Sequence, residues 1–236
     1  MNCYGALAPF YDRLTEDVDY SAFADWYESV FHDHDGPFHL LLDLCCGTGS
    51  LTVEMASRGY DLIGVDASES MLLEAQEKSQ KLKTAPLFVH QEAEQLDLYG
   101  TVDAAYCSLE GVNYLSPISF SSMLHRLKFF VRPGGLFLFD IRDAAYLEAV
   151  DGSTFVDEDK DLLCLWRADY DETIQALVYG MDIFSREGSH WRREREEHIE
   201  YVHTKTQITH ALTVNDFSLL SVDEKDDRLY YVSQEK

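Results

Sequence analysis

The chain has 236 residues, of which 46% are apolar and 13% aromatic, enough to build a substantial core and too apolar for a disordered segment. Its 43 acidic residues against 19 basic ones give a formal charge of −24, which repels nucleic-acid phosphates and anionic lipid alike. No apolar run approaches the roughly 20 residues that span a bilayer, and the start Met1-Asn2-Cys3-Tyr4-Gly5 lacks a signal-peptide pattern, so a cytoplasmic protein is expected.

The first 38 residues read as an amphipathic lead-in, with Tyr20, Phe23, Tyr27 and Phe31 at helical spacing. The pattern His32-Asp33-His34-Asp35 before Gly36-Pro37 reads as a polar helix end rather than a metal site, and no metal is expected. Strand-length apolar runs at 40–44, 62–65, 87–90, 102–107 and 136–141 then alternate with helical patterns at 50–57, 68–81 and 116–131. Such alternation predicts right-handed crossovers and a parallel sheet covered on both faces. After Asp151 four strands (154–159, 162–170, 173–185, 191–202) are separated by charged or glycine-containing turns, which predicts a small antiparallel lobe inserted after the fifth strand. A helix at 205–215 and strands at 218–222 and 229–233 close the chain and are expected to rejoin the main sheet.

Chemistry concentrates in two strand ends. Leu42-Asp43-Leu44 runs into Cys45-Cys46-Gly47-Thr48-Gly49-Ser50, and about twenty residues on, Leu62-Ile63-Gly64-Val65 ends in Asp66. Two acid-tipped strands joined by a glycine turn and a helix make a pocket for a hydroxyl-rich, nucleoside-like ligand, whereas the structural alternative is helix capping by Asp43 and Asp66. The basic cluster Arg192-Arg193-Glu194-Arg195-Glu196-Glu197 is charge-balanced and reads as a solvated or salt-bridged strand face. Five cysteines, Cys3, Cys45, Cys46, Cys107 and Cys164, show no zinc spacing and are expected to be free thiols.

Over nearly its whole length the chain resembles the class I S-adenosylmethionine-dependent methyltransferases. The resemblance rests on Asp43 to Gly49, Asp66 with Ala67-Ser68-Glu69-Ser70-Met71-Leu72, Glu92-Ala93, Cys107-Ser108-Leu109 and Arg132-Pro133-Gly134-Gly135, in that order. It implies an α/β fold: a Rossmann-like, doubly wound, seven-stranded, mostly parallel sheet with an antiparallel last strand, plus the inserted β lobe. It divides the chain into a cover and cofactor core (1–151), a lid (152–203) and a return to the core (204–236). S-adenosylmethionine is the implied cofactor, with Tyr11, Asp43, Cys45, Gly47, Gly49, Asp66, Met71, Glu92, Ala93 and Cys107 as its candidate contacts. In the family's pattern Asp66 takes both ribose hydroxyls, Met71 and the Glu92-Ala93 pair flank the adenine, and the glycines admit the methionine part. Tyr4, Phe10, Tyr11 and Asp12 resemble an amino-terminal cover, joined by Tyr20 and Trp26, with core packing the alternative for Phe10 and Trp26. Cys45 stands where the family has its first glycine, and its small side chain is expected to be tolerated.

Glu110, Tyr114 and His198 are the candidate catalytic groups, His198 as part of a Glu197-His198 pair in the lid. The expected function is methyl transfer to a small-molecule acceptor, without nucleic-acid or membrane partners, in a monomer or homodimer. Two alternatives stay open: a non-catalytic cofactor-binding module, and a nicotinamide-dependent oxidoreductase, whose fingerprint needs a third glycine where this chain has Leu51-Thr52-Val53.

Overall fold

The computed structural model describes residues 4–225 and 227–236, so the expectation for Cys3 lies outside the described residues. Two helices lead in, α1 (Ala8–Leu14) and α2 (Tyr20–Asp33), the second capped by Asp19, whose carboxylate accepts the Ala22 N–H at 3.0 Å. The predicted alternation follows as β1 (Leu40–Leu44), α3 (Ser50–Ser57), β2 (Asp61–Asp66), α4 (Glu69–Ser79), β3 (Leu87–His90), β4 (Val102–Cys107), α5 (Pro117–Leu127) and β5 (Val131–Arg142). A short helix α6 (Ala144–Ala149) leads to four strands, β6 (Thr154–Asp159), β7 (Leu162–Asp171), β8 (Ala176–Glu187) and β9 (His190–Tyr201). The chain closes with α7 (Lys205–Val214), β10 (Phe217–Lys225) and β11 (Arg228–Glu235).

The main sheet has seven strands in the order β10-β11-β5-β4-β1-β2-β3, and β6 to β9 form a separate four-stranded sheet. Strands β1 to β5 pair in parallel, while β11 runs antiparallel to β5 and pairs β10 beside it. The order reverses at β1, whose neighbours are β4 and β2, and this opens a crevice at their carboxyl ends.

Alternation along the strands feeds two cores. Leu42, Leu44, Phe137, Phe139 and Tyr231 face α5 and α7, whereas Leu41, Ala104, Tyr106, Leu136 and Leu138 face Tyr27 and Phe31 of α2. Of the residues at helical spacing in the lead-in, Tyr27 and Phe31 are buried in this core and Tyr20 and Phe23 pack against it, half-buried. A third cluster joins Leu7 to Leu162, Cys164, Met181 and Ile183, with Phe10 and Tyr11 packed on it, so α1 rests on the small sheet. Trp26 packs between the rings of Tyr27 and Tyr230.

Helix α5 is shorter than the expected 116–131. Ser116 and Pro117 start it, but it ends at Leu127 because Val131 already pairs with Val102 in the sheet. Arg132-Pro133-Gly134-Gly135, expected as the loop before the fifth strand, instead lies within β5, beside a register shift between Val102 and Ala104. Gly135 fits there because a Cβ would sit 2.6 Å from the Asp103 carbonyl oxygen. The arginines of β9 are salt-bridged as expected. Asp182 on β8 is buried and accepts from Arg167 at 2.8 Å, Arg193 at 2.8 Å and Arg195 at 3.0 Å, and although burial opposes it these arginines hold its carboxyl down to about 2.

Candidate active site

A cavity of about 370 Å³ lies at the carboxyl ends of β1, β2 and β4, with β9 and the amino-terminal segment on its other side. The β1–α3 turn forms part of its wall. The Gly47 N–H reaches Asp66 Oδ2 at 2.8 Å, and the Cys46 N–H reaches the Val65 carbonyl at 3.0 Å. Cys45, Gly47 and Gly49 all have left-handed backbones, with φ of +56°, +54° and +71°. Cys45 therefore adopts a glycine's conformation in the position where the family's pattern has glycine. Gly49 serves packing, since a Cβ there would lie 2.8 Å from that of Ala75.

Asp66 accepts Gly47 N–H on one oxygen and Ser68 N–H, also at 2.8 Å, on the other. Each oxygen keeps a second acceptor position for a ligand hydroxyl. Burial raises its pKa, against the pull of these two N–H groups. Asp43 is buried, accepts the Thr52 hydroxyl at 2.5 Å, and burial pushes its carboxyl up to about 7.

Of the predicted residues, Tyr11, Asp43, Cys45, Gly47, Asp66, Met71, Glu92, Ala93 and Tyr114 line the cavity. Gly49, Cys107, Glu110 and His198 are outside the lining. Cys107 is buried against Gly111, where a Cβ would meet its sulfur at 2.6 Å and the Cys45 Cβ at 3.1 Å. Glu110 turns away to bind Arg142 Nε at 2.9 Å and Arg228 at 2.6 Å, and Arg228 also holds Asp140 at 2.6 Å. Asp140 in turn accepts the N–H groups of Leu109 and Glu110, both with positive φ, fixing the turn after β4.

His198 is buried, and its acidic partner is Glu196 rather than the predicted Glu197: Nε2 lies 3.0 Å from Glu196 Oε2. Successive residues of a strand point to opposite faces, so Glu196, His198 and Glu200 share one face of β9 while Glu197, Ile199 and Tyr201 line the cavity. Glu196 also accepts backbone N–H groups of Tyr4, Ala6 and Leu7 at 3.1, 2.5 and 3.3 Å, tying the amino-terminal segment to the small sheet. Glu200 is buried, and burial, reinforced by nearby Glu110, pushes its carboxyl up to about 8.

Sequence reasoning named Tyr4 and Tyr20 only as cover and missed Gly111, Ile199 and Tyr201 as lining. The Tyr4 hydroxyl donates to Tyr114 at 2.6 Å, and its ring stands edge-on to His198 with centroids 4.2 Å apart. Asp12 accepts from Thr48 at 2.6 Å and Ser50 at 3.2 Å and pairs with Lys78 at 2.6 Å, so α1 is anchored to the glycine turn. Tyr27 of α2 hydrogen-bonds Ser108 at the end of β4.

The sheet order, the glycine turn beneath the cavity and the carboxylate at the end of β2 define a Rossmann-like fold built for a nucleoside-bearing cofactor. Residues 41–135 match the family described as "Methyltransferase domain". The chain is 29% identical over 202 residues to "Putative methyltransferase YqeM" of Bacillus subtilis, covering 83% of this chain and 78% of the relative. It is also 29% identical over 150 residues to the glycine N-methyltransferase of Mus musculus, covering 58% of this chain and 50% of that one. A solved S-adenosylmethionine-dependent methyltransferase from Clostridium acetobutylicum superposes with a TM-score of 0.85 at 27% identity, covering 99% of each chain. Fold, domain match and relatives make the chain similar to the S-adenosylmethionine-dependent methyltransferases and support a class I enzyme of that kind, whose cofactor is S-adenosylmethionine.

Proposed function

We propose that this protein methylates a small molecule held between the carboxyl ends of β1 and β4 and the overlying strand β9. The observation that carries the reading is the shared cavity, in which the glycine turn, Asp66 and Glu92 on one side meet Tyr4, Tyr114 and three residues of β9 on the other. Its volume of about 370 Å³ lies in the range of small-molecule sites. The residues fit the cofactor: Asp66 has acceptor positions left for two ribose hydroxyls, and Gly47 presents backbone without a side chain. In this reading Met71, Glu92 and Ala93 receive the adenine, and Asp43 with the Cys45 to Gly49 turn receives the methionine part.

When bound, S-adenosylmethionine supplies a methyl group on a positively charged sulfur. The protein aligns the acceptor with that carbon and keeps water away, the main demands of an in-line displacement that neutralises charge. Residues 152–203 act as the lid that does this, over a core made of 1–151 and 204–236. Tyr114 positions the acceptor, with its oxygen held by the Tyr4 hydroxyl, and His198 steadies Tyr4 from behind. Glu110 and Cys107 shape the turn after β4 without reaching the acceptor.

Calorimetric titration tests the reading. S-adenosylmethionine and S-adenosylhomocysteine are expected to bind in the micromolar range and NADH not at all. Asp66→Ala is expected to weaken cofactor binding by about 1–3 kcal/mol, the loss of hydrogen bonds to a charged group. Unchanged affinity in that variant removes Asp66 from the ribose site.

A further inference from the structure

Glu200 of β9 is 9% exposed and lies behind the cavity wall, on the strand face it shares with the pair of His198 and Glu196. The turn after β4 brings Tyr114 to it. Asn113 of that turn donates to the Tyr201 carbonyl at 3.0 Å and to the Arg142 carbonyl at 3.1 Å, which locks Gly111–Tyr114 between β9 and β5. Tyr114 lines the cavity, and its hydroxyl donates to Glu200 while accepting from Tyr4 at 2.6 Å. One phenol thus faces the cavity on one side and a buried carboxyl on the other.

A carboxylate taken out of water needs compensation. The cations near Glu200 are Arg142 and Arg228, but both are bound to Glu110, at 2.9 and 2.6 Å, and Glu110 itself repels a charge on Glu200. Tyr179 of β8 and Tyr4 of the amino-terminal segment add only phenols, and His198 is held by Glu196 at 3.0 Å. Burial first and Glu110 second push the Glu200 carboxyl up to about 8, against the Tyr114 hydroxyl and the two arginines. A carboxyl with that balance takes up and gives back a proton close to neutral pH, which is what acid-base chemistry requires. The carboxylates of the cavity lining are placed otherwise, Asp43, Asp66 and Glu92 at the ends of β1, β2 and β3 and Glu197 exposed.

We propose that Glu200 takes up the acceptor's proton through Tyr114, so that the acceptor is a group that loses a proton as it is methylated. This rests on methyl transfer being the activity. A lone pair of the acceptor atom bonds the methyl carbon as the carbon–sulfur bond breaks, and that bond's electron pair stays on sulfur. The acceptor's proton passes to the Tyr114 oxygen as Tyr114's own proton passes to Glu200. The positive charge on sulfur and the negative charge on Glu200 disappear together, and Glu200 returns the proton to water once product has left. Glu200 does not touch the acceptor and works only by positioning and receiving the Tyr114 proton, while Tyr4, donating to the same oxygen, directs that proton toward Glu200.

Two readouts on the full-length protein test this. In carbon-13 spectra of protein labelled at its glutamate carboxyls, one carboxyl is expected to titrate at about pH 8. Glu200→Gln is expected to remove that signal, and Tyr114→Phe to move its midpoint upward, because a hydrogen bond that favours the charged form is gone. No carboxyl titrating there, or a midpoint unmoved by Tyr114→Phe, overturns the proposal. With methyl-labelled S-adenosylmethionine and a small-molecule extract, the rate of labelled product is expected to rise with pH to a plateau above about 8. Glu200→Gln is expected to lower kcat for that product by about 100-fold or more and to abolish the inflection, while KM and S-adenosylhomocysteine affinity stay within about three-fold. A raised KM at unchanged kcat, or the wild-type inflection persisting in the variant, overturns the proposal. Absence of any labelled product fails the methyl-transfer reading and the proposal with it, whereas product formed equally well by Glu200→Gln fails the proposal alone.

Discussion

The turn after β1 shows how a residue can satisfy a family's pattern through conformation rather than identity. Cys45 holds φ at +56°, the left-handed backbone of a glycine, and Gly111 leaves the space its side chain needs beside Cys107. The sequence indicates the departure at position 45, but Gly111 lies more than sixty residues away and has no local signal that it answers Cys45. Asp43 and Glu200 are two residues whose burial bears on the pH dependence of stability. Burial pushes their carboxyls up to about 7 and about 8, above the values they have in the unfolded chain. The folded protein therefore holds extra protons between the ordinary carboxylate range and about pH 8, and stability from these groups is lost as pH rises through that window. Thermal denaturation of the cofactor-free protein is expected to show a falling Tm across it, and Glu200→Gln is expected to flatten the upper part of the fall. An equally steep profile in the variant would show that Glu200 does not titrate there.

At the scale of elements, α1 has little stability of its own. Seven residues are too few to be helical in isolation, so its order comes from packing on the small sheet and from Asp12 on the glycine turn. Because Tyr11 of the same helix lines the cavity, the anchor couples cofactor binding to the order of α1. Asp12→Ala is expected to speed amide exchange in Ala8–Leu14 and weaken cofactor binding several-fold, while global stability changes by only about 0–1 kcal/mol, as for an exposed ion pair. Hydrogen-exchange mass spectrometry with and without S-adenosylhomocysteine measures this, and unchanged protection of α1 would assign its order to apolar packing alone. The helix could be read from the sequence as a cover, but the surface it covers could not, because Thr48, which binds Asp12 of the helix, and Glu196, which binds the segment before it, come from elements distant in the chain.

On the scale of the molecule, two sheets and the amino-terminal segment meet around one cavity, so a ligand filling it binds the folded state alone. At a hundredfold excess over its Kd the cofactor is expected to add about 2.7 kcal/mol, which for a chain of this size raises Tm by roughly 5–11 °C. A melting scan against cofactor concentration checks it, and no shift at saturation would mean that the cavity is not the cofactor's site. The seven-stranded sheet with its antiparallel last strand was implied only by the resemblance to the class I methyltransferases, whereas the sequence by itself determined the alternation of strands and helices, the inserted antiparallel strands and the acid-tipped pair Asp43 and Asp66. These are local matters of apolar period, turn residues and caps, written in consecutive residues. Only the tertiary structure decided that Arg132 to Gly135 belong to β5, that Glu196 rather than Glu197 partners His198, and that Tyr4 joins Tyr114 across 110 positions of sequence. Strand pairing and side-chain facing depend on register between distant segments, which no stretch of consecutive residues encodes.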